Sequence, residues 1–196
     1  MSDQNLRFLF EIATLRNLDR SWRQYIGMDV ESVLEHIVRV MFLALLIARK
    51  EGVKNEEKIM KMVLVHDLAE TRTSDHMYVH KVYVKADEKK AADHLFFGTL
   101  FGDLRKDILH EYEERKSIEA KIVKDADNLE CDMELKELEA RGSTVRKKLA
   151  SGRRLVRDKK LYTKTARKLW DAIQKADVDE WHLTSNKWLK IPNAGK

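Results

Sequence analysis

One cysteine, one proline and seven glycines among 196 residues leave this chain almost without the residues that staple a fold or interrupt it. The lone thiol, Cys131, excludes an internal disulfide; it fits a reducing compartment and reads as a packing residue. Scarce Pro and Gly exclude a chain of many short elements joined by tight turns and leave long uninterrupted segments. Aromatic residues make up 8%, and β-branched residues rarely alternate with polar ones over strand lengths, so a sheet has little support. No apolar run approaches the roughly 20 residues that span a bilayer, the longest being Val40 to Ala48. The start, Met-Ser-Asp-Gln-Asn, has neither the basic cluster nor the apolar stretch of a secretory signal. No repeat or low-complexity tract marks a second unit. These absences predict an all-α, soluble, cytoplasmic protein with no membrane partner, built as one domain over residues 1–196.

What the chain has is charge and helical periodicity. Its formal charge of +5 is uneven: residues 143–175 hold twelve Lys or Arg against Asp158 and Asp171. That pattern is expected to be a solvated helical face, with nucleic acid as the less favoured partner. In chain order, the spacing predicts a helix over 3–18 capped by Ser2, and a connector over 20–27 in which Arg20, Trp22, Arg23 and Tyr25 could hold an anion and stack a ring. An apolar helix from about Val30 to Glu51 ends at Gly52, and another starts at Asn55 and runs to His66 and Asp67. An irregular stretch over 71–84 follows, then helices at 87–101 and 104–114, and a long one from Ser117 to Arg141 closed by Gly142. Shorter basic helices are expected at 143–151 and 163–175. Trp181 and Trp188 are expected to pack on the body or on a second subunit.

The apolar stripe of Ile59, Met62 and Val63 continues directly onto His66 and Glu70. Adjacent positions on a helix lie about 100° apart, so His66 and Asp67 can converge on one point while Glu70, one turn on, faces the same cavity. An imidazole nitrogen with a carboxylate oxygen suits borderline and hard divalent cations. His36 lies on the apolar face of its own helix, thirty residues earlier, and a short connection brings those two helices together antiparallel. On the long helix, Asp125 and Asp127 both flank the buried stripe, where a carboxylate needs a cationic or metal partner; periodicity leaves the two as rivals. His76, His80, His94 and His110 are candidates for extending such a site to a second ion.

His36, then His66-Asp67, then Asp127, on three separate helices, resembles the HD-domain metal-dependent phosphohydrolases, and most closely the branch of 5′-deoxynucleotidases and HD-domain-containing-2-like proteins. Three elements match in order: Glu31-Ser-Val-Leu-Glu-His36, His66-Asp-Leu-Ala-Glu70 with Asp75, and Glu119-Ala-Lys-Ile-Val-Lys-Asp-Ala-Asp127. The resemblance spans about residues 20–142, which makes 143–196 a basic helical extension of an HD helical bundle. It implies one divalent metal (Mn, Co, Fe, Zn or Mg) on His36, His66, Asp67 and Asp127, with Glu70 orienting or deprotonating a water. It also implies Asp75 on the sugar, and Arg20 with Trp22 on the phosphate and deoxyribose of a nucleotide substrate. The expected activity is removal of the 5′-phosphate from deoxyribonucleoside monophosphates, by a homodimer. The alternatives are the same chemistry on another phosphate ester such as a nucleoside triphosphate, or a non-catalytic nucleotide- or nucleic-acid-binding protein with a structural metal. Two departures stand out. The branch usually has Gly before the sugar-side Asp, where this chain has Ser74, and the spacing Arg20-Ser21-Trp22 leaves Arg20 and Arg23 as rival phosphate ligands.

Overall fold

The computed structural model describes residues 3–183, and all regular elements among them are helical. Helix α1 (Gln4–Ile12) is capped by Asp3, whose carboxylate accepts the Asn5 N–H, and tightens into a 3₁₀ turn at Ala13–Asn17. The helix expected at 3–18 is therefore two conformations in sequence, and the cap is Asp3 where Ser2, outside the described residues, was expected. Helix α2 (Arg23–Ile26) is a single turn inside the 20–27 connector.

Helix α3 (Val33–Glu51) starts three residues later than expected because Ser32 and Glu35 form a reciprocal capping box; Gly52, at φ +74°, ends it in the left-handed conformation that a glycine adopts without strain. The connector folds back onto this start. Asp19 bridges Ser32, the Arg20 N–H donates to the Glu31 carbonyl at 3.0 Å, and the Val33 N–H donates to the Leu18 carbonyl at 2.8 Å. Helix α4 (Glu56–Val65), capped by Asn55, then brings His66 to its C-terminal boundary. The 71–84 stretch contains two single turns, α5 (Glu70–Thr73) and α6 (His80–Tyr83). Helix α7 (Glu88–Phe96) is followed by a π-helical segment, Leu104–Leu109, that runs into α8 (His110–Glu114).

Helix α9 (Ile118–Ala140), capped by Ser117, is the central strut, packed on α3, α4, α8, α10 and α11. Val40, Ala44 and Ile47 of α3, Ile59, Met62 and Val63 of α4, and Ile122, Val123, Ala126 and Leu129 of α9 meet in one fully buried cluster. Ile118, at the start of α9, is exposed, and Ala120, two residues on, is the first of its residues to be fully buried. Helix α10 (Val145–Lys159) continues through Gly152, beyond the expected end at Ser151. A mid-helix glycine costs about 1 kcal/mol. Arg153, the next residue, offsets it by bonding across to α9 (below). Helix α11 (Lys164–Ile173) contributes Ala166 and Trp170 to the shared core. The last described element is α12 (Glu180–Leu183); Trp181 on it is exposed instead of packed on the body, and Trp188 lies outside the described residues. No helix among the described residues is long and apolar enough to cross a membrane.

Candidate metal centre

His36 from α3, His66 and Asp67 from the end of α4, and Asp127 from α9 each offer one ligand atom, all within 4.8 Å of one another. The His36 Nε2 lies 3.5 Å from Asp67 Oδ2 and 3.4 Å from Asp127 Oδ1, and the His66 Nε2 lies 3.2 Å from Asp67 Oδ2. The far side of each ring is already committed. His36 Nδ1 sits 2.7 Å from the Glu130 carboxylate, and His66 Nδ1 sits 2.7 Å from the Val63 carbonyl. Acceptors on both Nδ1 atoms make those nitrogens the donors and leave the lone pairs on Nε2. Both Nε2 atoms are buried without a hydrogen-bond partner. Two orphaned imidazole lone pairs facing two carboxylates form a donor set that fits a divalent cation.

The electrostatics agree. Burial works against ionising Asp127, but the Lys124 ammonium 2.5 Å away and His36 outweigh it and hold the carboxyl well below its ordinary range. Burial likewise disfavours a charged His36, yet the surrounding carboxylates of Asp127, Glu130 and Glu31 raise its pKa well above the ordinary value. Glu130 and Glu31 act at Nδ1, whereas Asp127 and Asp67 lie on the Nε2 side, where they would also attract a cation.

Behind His36 lies a second layer that the residue types alone did not reveal. Arg39 donates to Glu130 at 2.7 Å, to Glu31 at 2.7 Å and to Glu137 at 2.6 Å, so one guanidinium ties together three carboxylates, two of which lie against the ring. Glu31, His36 and Glu130 also approach closely enough to be counted as a ligand group. However, His36 Nδ1 is taken by Glu130 and both carboxylates by Arg39, which makes this group the support of the first and not a second ion site. The available signal was spacing: Arg39 is three residues past His36, Glu130 three past Asp127, and Lys124 three before it, so each shares a helical face with a ligand.

Arg20, 8% exposed, closes one side. Its guanidinium lies 3.9 Å from Asp67, 3.8 Å from Asp75 and 3.8 Å from the Cys131 sulfur, its Nε lacks a partner, and its Cζ is 5.7 Å from the Trp22 ring centre. Arg23 points elsewhere: it is exposed and paired with Asp19 and Asp29. Asp75 accepts the Ser21 N–H at 2.8 Å, joining the connector to the stretch after α5. The residue before it, Ser74, has φ 64° and ψ 160°, a backbone region that is essentially glycine's. Glu70 leaves Oε2 buried and unpartnered; burial, then the charges of Asp67 and Asp75, push its pKa up to about 9.

The remaining candidates separate from this cluster. Asp125 caps the entry to α11, accepting the Tyr162 and Thr163 N–H groups and the Thr163 hydroxyl at 2.7–2.8 Å. Its neighbour two residues on faces the histidines. His76 and His80 stack edge to face at 5.8 Å, and His80 bonds Gln24. Among the described residues, none of His76, His80, His94 and His110 joins a group able to hold a metal.

This geometry has close parallels. The family model described as HD domain matches residues 12–174. The 5'-deoxynucleotidase HDDC2 of Danio rerio is 37% identical over 144 residues, covering 70% of each chain, and that of Dictyostelium discoideum is 32% identical over 157 residues, covering 74% of this chain and 82% of its own. Among solved structures, the PH0347 protein of Pyrococcus horikoshii superposes with a TM-score of 0.69 at 26% identity, over 87% of this chain and 96% of its own. A conserved hypothetical protein of Pyrococcus furiosus, at 24% identity, shares the fold with a TM-score of 0.71 over 87% of this chain and 99% of its own. With the family model spanning most of its length, and with the paired histidines and aspartates brought together by three helices, the chain belongs to the HD-domain family.

Proposed function

We propose that the protein is a divalent-metal-dependent phosphohydrolase that removes the 5′-phosphate from deoxyribonucleoside monophosphates. The observation that carries this reading is the pair of partnerless Nε2 atoms facing Asp67 and Asp127, beside a buried guanidinium with no close ion pair. The relatives from Danio rerio and Dictyostelium discoideum, named 5'-deoxynucleotidases, support the substrate class.

His36, His66, Asp67 and Asp127 would hold one divalent cation. Bound there, such an ion lowers the pKa of a water and neutralises charge on the phosphoryl oxygens. Arg20 receives the phosphate: a planar guanidinium matches two phosphate oxygens, and this one has no strong bond to give up. Trp22, adjacent, covers the deoxyribose. Glu70 presents its unpartnered Oε2 toward the water whose proton it would accept. Asp75, anchored by the Ser21 N–H, accepts a sugar hydroxyl with its remaining capacity.

The basic helices take no part in this reading. Arg146, Arg153 and Arg157 are ion-paired within the chain, and Arg167 bonds the Leu161 carbonyl, so these four are engaged in the fold. The expected homodimer is supported by α3, which exposes Leu34, Val38, Phe42 and Leu46 at four-residue spacing, an apolar stripe suited to a second copy. Phe42→Glu should shift the sedimentation of the protein to that of a monomer; an unchanged profile removes α3 as the interface.

The test of activity is a phosphate-release panel on the metal-loaded protein. Turnover of deoxyribonucleoside monophosphates, lost on chelation and restored by added metal, is the expected result. Turnover of another phosphate ester with none on these substrates would overturn the nucleotidase assignment.

A further inference from the structure

Between α10 and α11, on the flank of α9, lies a cavity of about 510 Å³ that none of the four candidate metal ligands lines. A smaller one of about 250 Å³ shares Arg154, Trp170 and Asp171 with it. We propose that this cavity is a second ligand site, one that takes a phosphate-bearing small molecule of nucleotide size.

Its wall is cationic with little to balance it. The two carboxylates present are already engaged, Asp132 by Arg153 at 2.7 Å and Asp171 by Arg157 at 2.7 Å. Arg146 is held by Glu139 and Gln174, both at 2.5 Å. Lys147, Arg154 and Lys175 line the same space, and no ion pair among the described residues includes them. Two donors are left over as well. Trp170, only 8% exposed, has no partner for its Nε1–H, and Gln174 has none for its Nε2. Unsatisfied donors beside three cations that have no carboxylate within ion-pair distance, with Arg154 and Lys175 feeling Asp171 only at longer range, suit an anion with several acceptor oxygens. Size indicates more than an inorganic ion, because the volume falls in the range of sites that enclose an organic ligand.

The site also touches the catalytic side through one residue. Arg153, on the cavity wall, donates to Asp132, to the Asn128 carbonyl at 2.6 Å and to the Tyr78 hydroxyl at 3.0 Å. Asn128 follows Asp127, and Tyr78 is three residues past Asp75. A ligand seated here therefore lies one side chain from both the metal cluster's helix and the segment proposed to meet the sugar.

Calorimetric titration of the metal-loaded protein with ADP, inorganic pyrophosphate and adenosine tests the site. ADP should bind saturably, with an affinity that falls as salt rises, and adenosine should not. The variant Lys147→Gln/Arg154→Gln/Lys175→Gln should weaken ADP binding at least tenfold while keeping the melting temperature and any phosphohydrolase turnover. All three side chains are exposed; if the triple variant melts early, Arg154→Gln alone is titrated. Pyrophosphate binding as tightly as ADP would show that phosphate alone is recognised and overturn a ligand of nucleotide size. Unchanged ADP affinity in a folded variant, equal binding of adenosine, or no binding of either phosphate compound overturns it. Because the readout is binding, a failure of the nucleotidase assignment leaves this result legible.

Discussion

Two buried arginines divide the molecule. Arg153, 4% exposed between α9 and α10, donates to both oxygens of Asp132, to a backbone carbonyl and to a tyrosine hydroxyl, all within 3.1 Å. Arg20, 8% exposed beside the His–Asp cluster, makes no ion pair or side-chain hydrogen bond shorter than 3.8 Å and has a partnerless Nε. Burying a charge is costly in both places. In the first, the chain itself satisfies the charge and the result is architecture, a strut that carries α10 past Gly152. In the second, the satisfaction is incomplete within the chain. The same holds for His36 Nε2, His66 Nε2 and Glu70 Oε2 nearby. Burial alone does not mark a site; burial without partners, concentrated in one place, does.

The largest effect that would break this contrast is loss of a ligand. Asp67→Ala should abolish metal content by elemental analysis, together with all hydrolysis. Glu70→Ala should keep the metal and lower kcat by about two to four orders of magnitude, as expected for a positioned base. A Glu70→Ala enzyme of full activity would remove Glu70 from the chemistry. Next come the two arginines themselves. Arg153→Ala leaves Asp132 buried and uncompensated, and should destabilise the fold by about 3–5 kcal/mol in denaturant titration. Arg20→Ala should leave the metal-loaded protein's melting temperature nearly unchanged and raise KM instead. Reversed outcomes would mean that the distances misassign structure and function.

Ser74 gives a smaller test. Its backbone sits where a side chain costs of order 1–3 kcal/mol. Ser74→Gly should relieve this and, after the added freedom of the unfolded chain, stabilise by about 1 kcal/mol. It also bears on the departure noted at the outset, Ser74 where the resembling branch usually has Gly: the turn into Asp75 takes the same glycine-like conformation with Ser in place. A melting temperature that does not rise would show the strain to be absent.

The smallest effect is a pH slope away from the metal. Burial first, then the charges of Glu31 and Glu130, raise the Glu134 pKa from 4.5 to about 8. The folded state then holds a proton that the unfolded state releases. The stabilisation is complete below pH 4.5 and is lost as pH rises through about 8. Thermal melts across that window should fall less steeply for Glu134→Gln than for the parent chain, and parallel slopes would discount the shift.

Particular residues show why some of this was legible beforehand. Asn55, Gly52 and Ser117 cap helices by local bonds or backbone geometry, so their roles could be read from neighbours three or four positions away. The apolar stripes of α3 and α4 point His36 and His66 inward for the same reason. Asp125 and Asp127 were not separable by such means. One is turned to the start of α11 and the other to His36, a difference set by elements 37 and 91 residues away along the chain. Glu130 and Arg39 were overlooked because a charged residue on a helical face looks solvent-bound until the opposing helix is known. Gly152 signalled a break that packing overrode.

Amino-acid order by itself determined the helical class, most helix boundaries, and the three segments from which the histidines and aspartates come, because these depend on periodicity and on caps within a few residues. Tertiary structure alone decided which carboxylate faces the imidazoles, which arginine overlies them, and where polar atoms are left without partners. Those outcomes depend on what lies across an interface from each helix, and a helical period records which face is buried but not what it is buried against.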